Sequence, residues 1–207
     1  MYNSSEKRKT SAGHDLAYKM WATKGSRFQA DERNKKLSRI STLTISFISV
    51  EVIALNLFSI ANLTPVFVDV DFLSLFTVIG SIFILLFSVL ENAKSYKSKA
   101  LTHHACALEI GKVYTKLKRV LASNENKDFN DDEVLESTEA EYDKILEKYE
   151  NHQNVDFQKF LLDRHRDFHL GWKERWGKRI NIYFRTWFVY HFFILIGPML
   201  MLIYSLQ

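Results

Sequence analysis

The chain has 207 residues, 47% of them hydrophobic and 14% aromatic, with a formal net charge of +4. That length bounds one domain, or one membrane unit with a modest soluble part. The single cysteine, Cys106, excludes an internal disulfide framework and gives no metal-site spacing.

Taken from the N-terminus, Met1 to Gly13 is polar and is read as disordered. The polar, basic stretch up to Arg39 is far longer than the n-region of a secretory signal. The apolar run after it lacks a convincing small-x-small cleavage site, so the first hydrophobic segment is expected to stay in the mature protein. Within His14 to Arg39, Leu16, Met20, Trp21 and Phe28 recur at near-helical spacing among basic residues. Two readings stand side by side: a helix lying along a membrane surface with its lysines toward anionic headgroups, or a helix packed on the rest of a cytoplasmic bundle.

Ile40 to Leu63 holds one charge, Glu51, and no Gly or Pro, and Phe72 to Leu90 holds no charge. A spanning helix needs roughly 20 mainly apolar residues, and both stretches meet that length. Only the segment from Thr64 to Asp71 separates them, so they read as a transmembrane hairpin. Glu51 lies at mid-span, where an ionisable group is costly and normally faces a cavity, a pore or a partner. His191 is a candidate partner with a poor depth match; burial of a neutral, hydrogen-bonded Glu51 is the other reading. At 100° per residue, Thr42, Ser46, Ser49 and Asn56 share one face of the first span, roughly opposite Glu51. Ser74, Thr77, Ser81 and Ser88 share one face of the second. Such stripes suit either helix packing or the lining of an oligomeric pore.

Beyond the hairpin, Leu101, Cys106, Leu108, Ile110, Val113, Tyr114, Leu117 and Val120 recur at three- and four-residue steps. No proline interrupts the chain between Leu90 and Leu121, so the second span is expected to continue to Leu121 as one rod. Ser123 to Asp128 reads as a polar loop. Asn130 and Glu133 have capping-box spacing, with Phe129 and Val134 placed as a hydrophobic staple. An acidic helix with Val134, Thr138, Tyr142, Ile145 and Tyr149 on one side should follow. Ser123 to Glu150 carries 11 acidic and 3 basic residues. After a turn at Asn151 to Asn154, Phe157, Leu161, Phe168, Trp172, Trp176, Ile180 and Phe184 form an apolar ladder, expected on one helix running into a third span, Trp187 to Leu206. Gly197-Pro198 should kink that span, and Trp187, Tyr190 and Tyr204 suit interfacial anchors.

Lys and Arg precede the first span (Lys24, Arg27, Arg33, Lys35, Lys36, Arg39), follow the second (Lys94, Lys97, Lys99) and precede the third (Lys173, Arg175, Lys178, Arg179, Arg185). The hairpin turn has Asp69 and Asp71 and no basic residue. The positive-inside rule then places the N-terminus and the long middle segment in the cytoplasm, with the turn and extreme C-terminus outside. No phosphate loop, nucleophile elbow or zinc signature occurs, so no enzyme is expected. His165 and His169, four apart, and His103-His104 with Cys106 are poor ligand sets; surface or structural histidines are the simpler reading.

The entry RFQADERNKKLSRISTLTIS, the short hairpin, HHACALEIGKVYTKL and later YDKILEKYENHQNVDF resemble the SLATT family. That family comprises two-transmembrane effector domains found beside nucleotide-signal and SLOG-domain proteins in bacterial conflict systems; the likeness is to the branch sometimes encoded beside reverse transcriptases. It runs from about Arg27 to Trp187, and the Glu150-Asn151-His152 turn is among its most particular pieces, a candidate regulatory turn. The resemblance implies a membrane effector of antiviral defence, acting in the bacterial inner membrane. It would assemble as a homo-oligomeric pore and cause growth arrest or cell death, as in abortive infection, when a partner or nucleotide signal triggers it. The alternative is a non-conducting membrane adapter that docks a soluble sensor or a polymerase-like partner. The third span is a departure from the two-span pattern.

The expectation is therefore an all-α membrane protein. It has a basic segment (1–39), a transmembrane hairpin (40–90), a cytoplasmic helical region (91–185) continuous with the spans, and a C-terminal transmembrane helix (186–207). Its partners would be the lipid bilayer, further copies of itself and a soluble protein encoded nearby, such as a reverse transcriptase. No cofactor, metal, catalytic residue or direct nucleic-acid contact is expected.

Overall fold

The computed structural model describes residues 12–61, 70–123 and 132–195. Every regular element among them is helical: α1 (Ala12–Ile60), α2 (Val70–Ala93), α3 (Tyr96–Ser123), α4 (Asp132–Lys148), α5 (Asn154–Asp163) and α6 (Trp172–Thr186), with helix resuming at 188–195. The helices fall into two units, Met1–Arg33 with Ser98–Arg179 and Asn34–Lys97 with Ile180–Gln207; α1, α3 and α6 contribute residues to both.

The first unit has its own apolar core. Leu16, Ala17 and Met20 of α1 pack with Cys106, Ile110, Val113 and Leu117 of α3 and with Tyr142 and Ile145 of α4. The start of α1 is thus a bundle helix, which decides between the two readings of His14 to Arg39. Its periodicity marked a core face, and Cys106 is one of the core residues. A second, aromatic layer lies beside it: Trp21 meets Phe160 edge-on at 4.9 Å and stacks with Phe168 at 5.9 Å. A side chain at Gly25 would overlap the Phe160 ring, so the close approach of α1 and α5 requires glycine there.

In the second unit, α1 and α2 form the hairpin. Gly80 faces Val52, and Thr77 Oγ1 donates to Asn56 Oδ1 at 2.9 Å. Segment 188–195 packs against α2, with Phe193 5.6 Å from Phe83 and 5.5 Å from Phe87. α1 and α2 are each long and apolar enough to cross a membrane. Most of their large apolar side chains are exposed, from Leu43 and Val50 on α1 to Ile82 and Leu90 on α2. An apolar surface of this kind suits lipid.

Two expectations fail. The rod from the second span to Leu121 is broken, because α2 ends at Ala93 and α3 begins at Tyr96. Lys94 and Ser95 amides bond back to Glu91 and Asn92, at 3.3 and 3.1 Å, and Ser95 turns left-handed at φ 50°. That is the form of an αL helix stop, usually built on glycine; a serine there left no sequence signal. The ladder from Phe157 to Phe184 is also not one helix. α5 stops at Asp163, the chain turns through 164–171 with His169 at φ 50°, and α6 starts afresh at Trp172. The polar run Asp163 to Asp167 offers the ladder no apolar contact, whereas Phe168 gains stacking on Trp21 and an edge-on contact with Phe160 by leaving the helical line. His165 and His169 therefore lie in a turn rather than on one helical face. The Asn130–Glu133 cap, the Phe129 staple, most of the hairpin turn, Gly197-Pro198 and Tyr204 lie outside the described residues.

Candidate functional sites in the two units

In the first unit the Glu150-Asn151-His152 turn is held by an arginine from α1. Arg27 is wholly buried. Its Nη1 donates to the Glu150 carbonyl, and its Nη2 donates to Asn151 Oδ1 at 3.3 Å. Nη1 also lies 3.3 Å from His103 Nδ1 on α3. A guanidinium can only donate, so His103 accepts there and carries its proton on Nε2. Burial first, and the Arg27 charge second, hold His103 below the usual imidazole range; the same two causes in the same order lower His152. Two buried atoms in this cluster, Arg27 Nε and His152 Nδ1, find no hydrogen-bond partner among the described residues.

Nearly two turns further along α1, Arg33 grips Asp156 in a fork. Nε donates to Oδ1 at 2.6 Å and Nη2 to Oδ2 at 3.1 Å. Asp156 is also the N3 residue of α5, and its Oδ2 accepts the Gln153 amide at 3.0 Å. One carboxylate thus caps α5 and neutralises a buried arginine. Asp31 reaches His104 at 2.9 Å, and Lys159 reaches Glu32 at 3.0 Å. Arg27 and Arg33, two of the cations read as topology signals, are therefore committed to the interior of this unit. Asp156 was missed; its signal was the Gln153–Asp156 spacing just after the turn.

The acidic helix α4 uses its apolar side on the core, while Lys116 pairs with Glu141 at 3.2 Å and Glu109 accepts from Lys148 and Tyr149 at 2.8 and 2.7 Å. An open groove of about 620 Å³, lined by Lys24, Lys112, Lys116 and Arg119 with Phe28 and Leu108, lies along α1 and α3.

In the second unit, Glu51 is half-buried and makes no hydrogen bond or ion pair among the described residues. His191 is not its partner: no bond joins the two, and His191 Nδ1 lies 3.0 Å from the Tyr183 hydroxyl. Of the two polar stripes, only Asn56 and Thr77 are brought together. Thr42, Ser46, Ser74 and Ser81 are exposed; Ser49 and Ser88 are half-buried. Thr42, Ser49 and Ser81 bond to carbonyls one turn back, at 2.8–3.0 Å, which satisfies their hydroxyls within their own helices.

A second polar knot went unread. Glu91 is only 5% exposed and accepts the Tyr190 hydroxyl at 2.7 Å, while Tyr96 OH lies 3.0 Å from Tyr190 OH. Ser41 and Lys94 also hydrogen-bond to Glu91. The knot ties α1, the α2–α3 break and segment 188–195 within this unit. Tyr190, expected as an interfacial anchor, is instead buried in it.

These features define an all-helical membrane protein: two membrane-length helices paired as a hairpin, with a separately cored helical unit built on the same chain. The family model described as SMODS and SLOG-associating 2TM effector domain family 5 matches residues 9–204, and the chain belongs to that family. It is thus a membrane effector of conflict systems, as the resemblance implied. No curated protein and no solved structure matches it.

Proposed function

We propose that copies of this chain assemble in the bacterial inner membrane so that their hairpins line a pore. Opening of the pore, on a signal from a partner protein or nucleotide, disrupts the membrane and arrests or kills the cell. Glu51 carries this reading. A carboxylate at the centre of a span costs about 2.5–3.5 kcal/mol on insertion scales, and this one has no partner among the described residues of its own chain. A water-filled lumen, or a neighbouring copy, supplies what one chain lacks. The distribution of Lys and Arg favours a cytoplasmic N-terminus, and with the apolar run Trp187 to Leu206 as a third span the C-terminus lies outside.

The test is ion flux from liposomes holding the purified full chain, together with a potential-sensitive dye in cells expressing the triggered system. Flux that changes in Glu51→Leu and is partly kept in Glu51→Gln supports a pore-facing carboxyl. Unchanged potential in triggered cells overturns the pore. The adapter reading rests on a different observation, the cation-lined groove on the first unit, which suits an acidic partner. Replacing the hairpin by an unrelated one preserves activity if the chain is an adapter and abolishes it if it is a pore.

A further inference from the structure

α6 has no buried residue, although it carries two tryptophans, two isoleucines, a tyrosine and a phenylalanine. Trp172 is 67% exposed, Trp176 57%, Ile180 52% and Phe184 58%. Placed at 100° per residue, these four and Tyr183 fill a single arc of about 120°, and every other α6 side chain except Lys173 falls outside it. Five basic residues stand against one acidic residue on this helix. Lys173 sits within the edge of the arc and Arg179 beside the other edge, and their cationic ends lie 5.8 Å from the Trp172 ring and 5.9 Å from the Trp176 ring.

A soluble helix does not leave such a stripe in water without a use for it. Its cations argue against a second copy of α6 as the cover, because two such helices would repel. Aromatic rings on one face, flanked by long cationic side chains that bury their stems and keep their charges in water, are the pattern of a helix at an anionic lipid interface. α6 closes at Thr186, and helix resumes at 188–195 after the single turn residue Trp187, whose amide bonds back to the Tyr183 carbonyl at 2.8 Å. We infer that α6 is an interfacial helix, seating Trp172, Trp176, Ile180 and Phe184 in the headgroup layer of an anionic bilayer. This function is separate from conduction and holds whether or not the hairpin forms a pore.

The experiment uses the full chain in nanodiscs of phosphatidylglycerol and phosphatidylcholine, with Cys106→Ala as background. Single cysteines at Trp176 and Ile180, and at Glu174 and Lys178 on the polar side, carry an environment-sensitive fluorophore. None of these four α6 sites is buried, so labelling there removes no core contact; helical circular dichroism checks that the Cys106→Ala background is folded. The expected result is that labels at 176 and 180 are quenched by lipids spin-labelled near the headgroup and shielded several-fold from an aqueous quencher, while those at 174 and 178 behave oppositely. In phosphatidylcholine alone the contrast should weaken. Equal aqueous quenching on both faces overturns the inference, as does exclusion of both quenchers at 176 and 180, which would mean a protein cover. Strongest quenching by lipids labelled at the bilayer centre also overturns it, since the helix would then span. A contrast unchanged without anionic lipid overturns the role of the cations.

Discussion

Asp156→Ala tests the buried architecture of the first unit most directly. The carboxylate is fully buried and its partner Arg33 nearly so, at side-chain exposures of 0% and 9%. Removing one member of a buried pair leaves the other charge unpaired in low dielectric, at a cost of about 3–5 kcal/mol. Asp156 also accepts the Gln153 amide that opens α5, and loss of a helix cap adds about 1 kcal/mol. The expected loss is therefore about 4–6 kcal/mol, enough to unfold a marginal domain. The measurement is pulse proteolysis in urea on the full chain in detergent, with hydrogen exchange reporting α5 amides. The double replacement Arg33→Met with Asp156→Leu removes both charges while keeping volume, and should recover to within about 1 kcal/mol of the native chain or exceed it. A loss below about 1 kcal/mol for Asp156→Ala, the scale of a solvated surface bridge, would refute the claim that the pair is desolvated.

Gly25→Ala should cost about 1–3 kcal/mol through overlap with the Phe160 ring, read as a lower melting temperature and partly reversed by Phe160→Leu. The first unit should lose stability on acidification. His103 and His152 have folded pKa values held below the ordinary imidazole value, so the unfolded chain binds more protons as pH falls through about 6.5. Their contribution is intact above that pH and declines below it; urea midpoints at pH 7.5 and 5.5 measure this, and a flat profile refutes it. Tyr190→Phe deprives buried Glu91 of a donor and should cost about 1–3 kcal/mol in the second unit, read as earlier thermal unfolding in detergent.

The sequence made the apolar elements legible because their signals are local. Runs of membrane length gave the hairpin, and three- and four-residue spacing gave the core faces of α1, α3 and α4. The breaks were not legible. Ser95 and His169 take left-handed conformations that glycine usually signals, and the contacts beside them join residues distant in sequence: Tyr190 to Glu91 next to the first, Trp21 to Phe168 next to the second. The same holds for the polar sites. Arg27 and Arg33 look like any flanking cations until α5 and the 150–152 turn are folded against them. Glu51 stood out from sequence alone, because depth in an apolar run is itself a local property.

One physical consequence joins the buried arginines to function. Arg27 contributes its guanidinium to the 150–152 turn on the same helix that, 24 residues later, carries Glu51. Nη1 is shared between a carbonyl and a histidine whose neutral form it needs, while Nε has no partner among the described residues. Such a cluster is costly when half-satisfied, so a change at the turn has an energetic reason to be felt by α1. A variant confined to the turn, Asn151→Ala, should therefore shift the dose of trigger needed for membrane depolarisation without changing flux in the liposome assay. A change in liposome flux with an unaltered trigger response would place the turn's effect in the pore itself and remove the coupling.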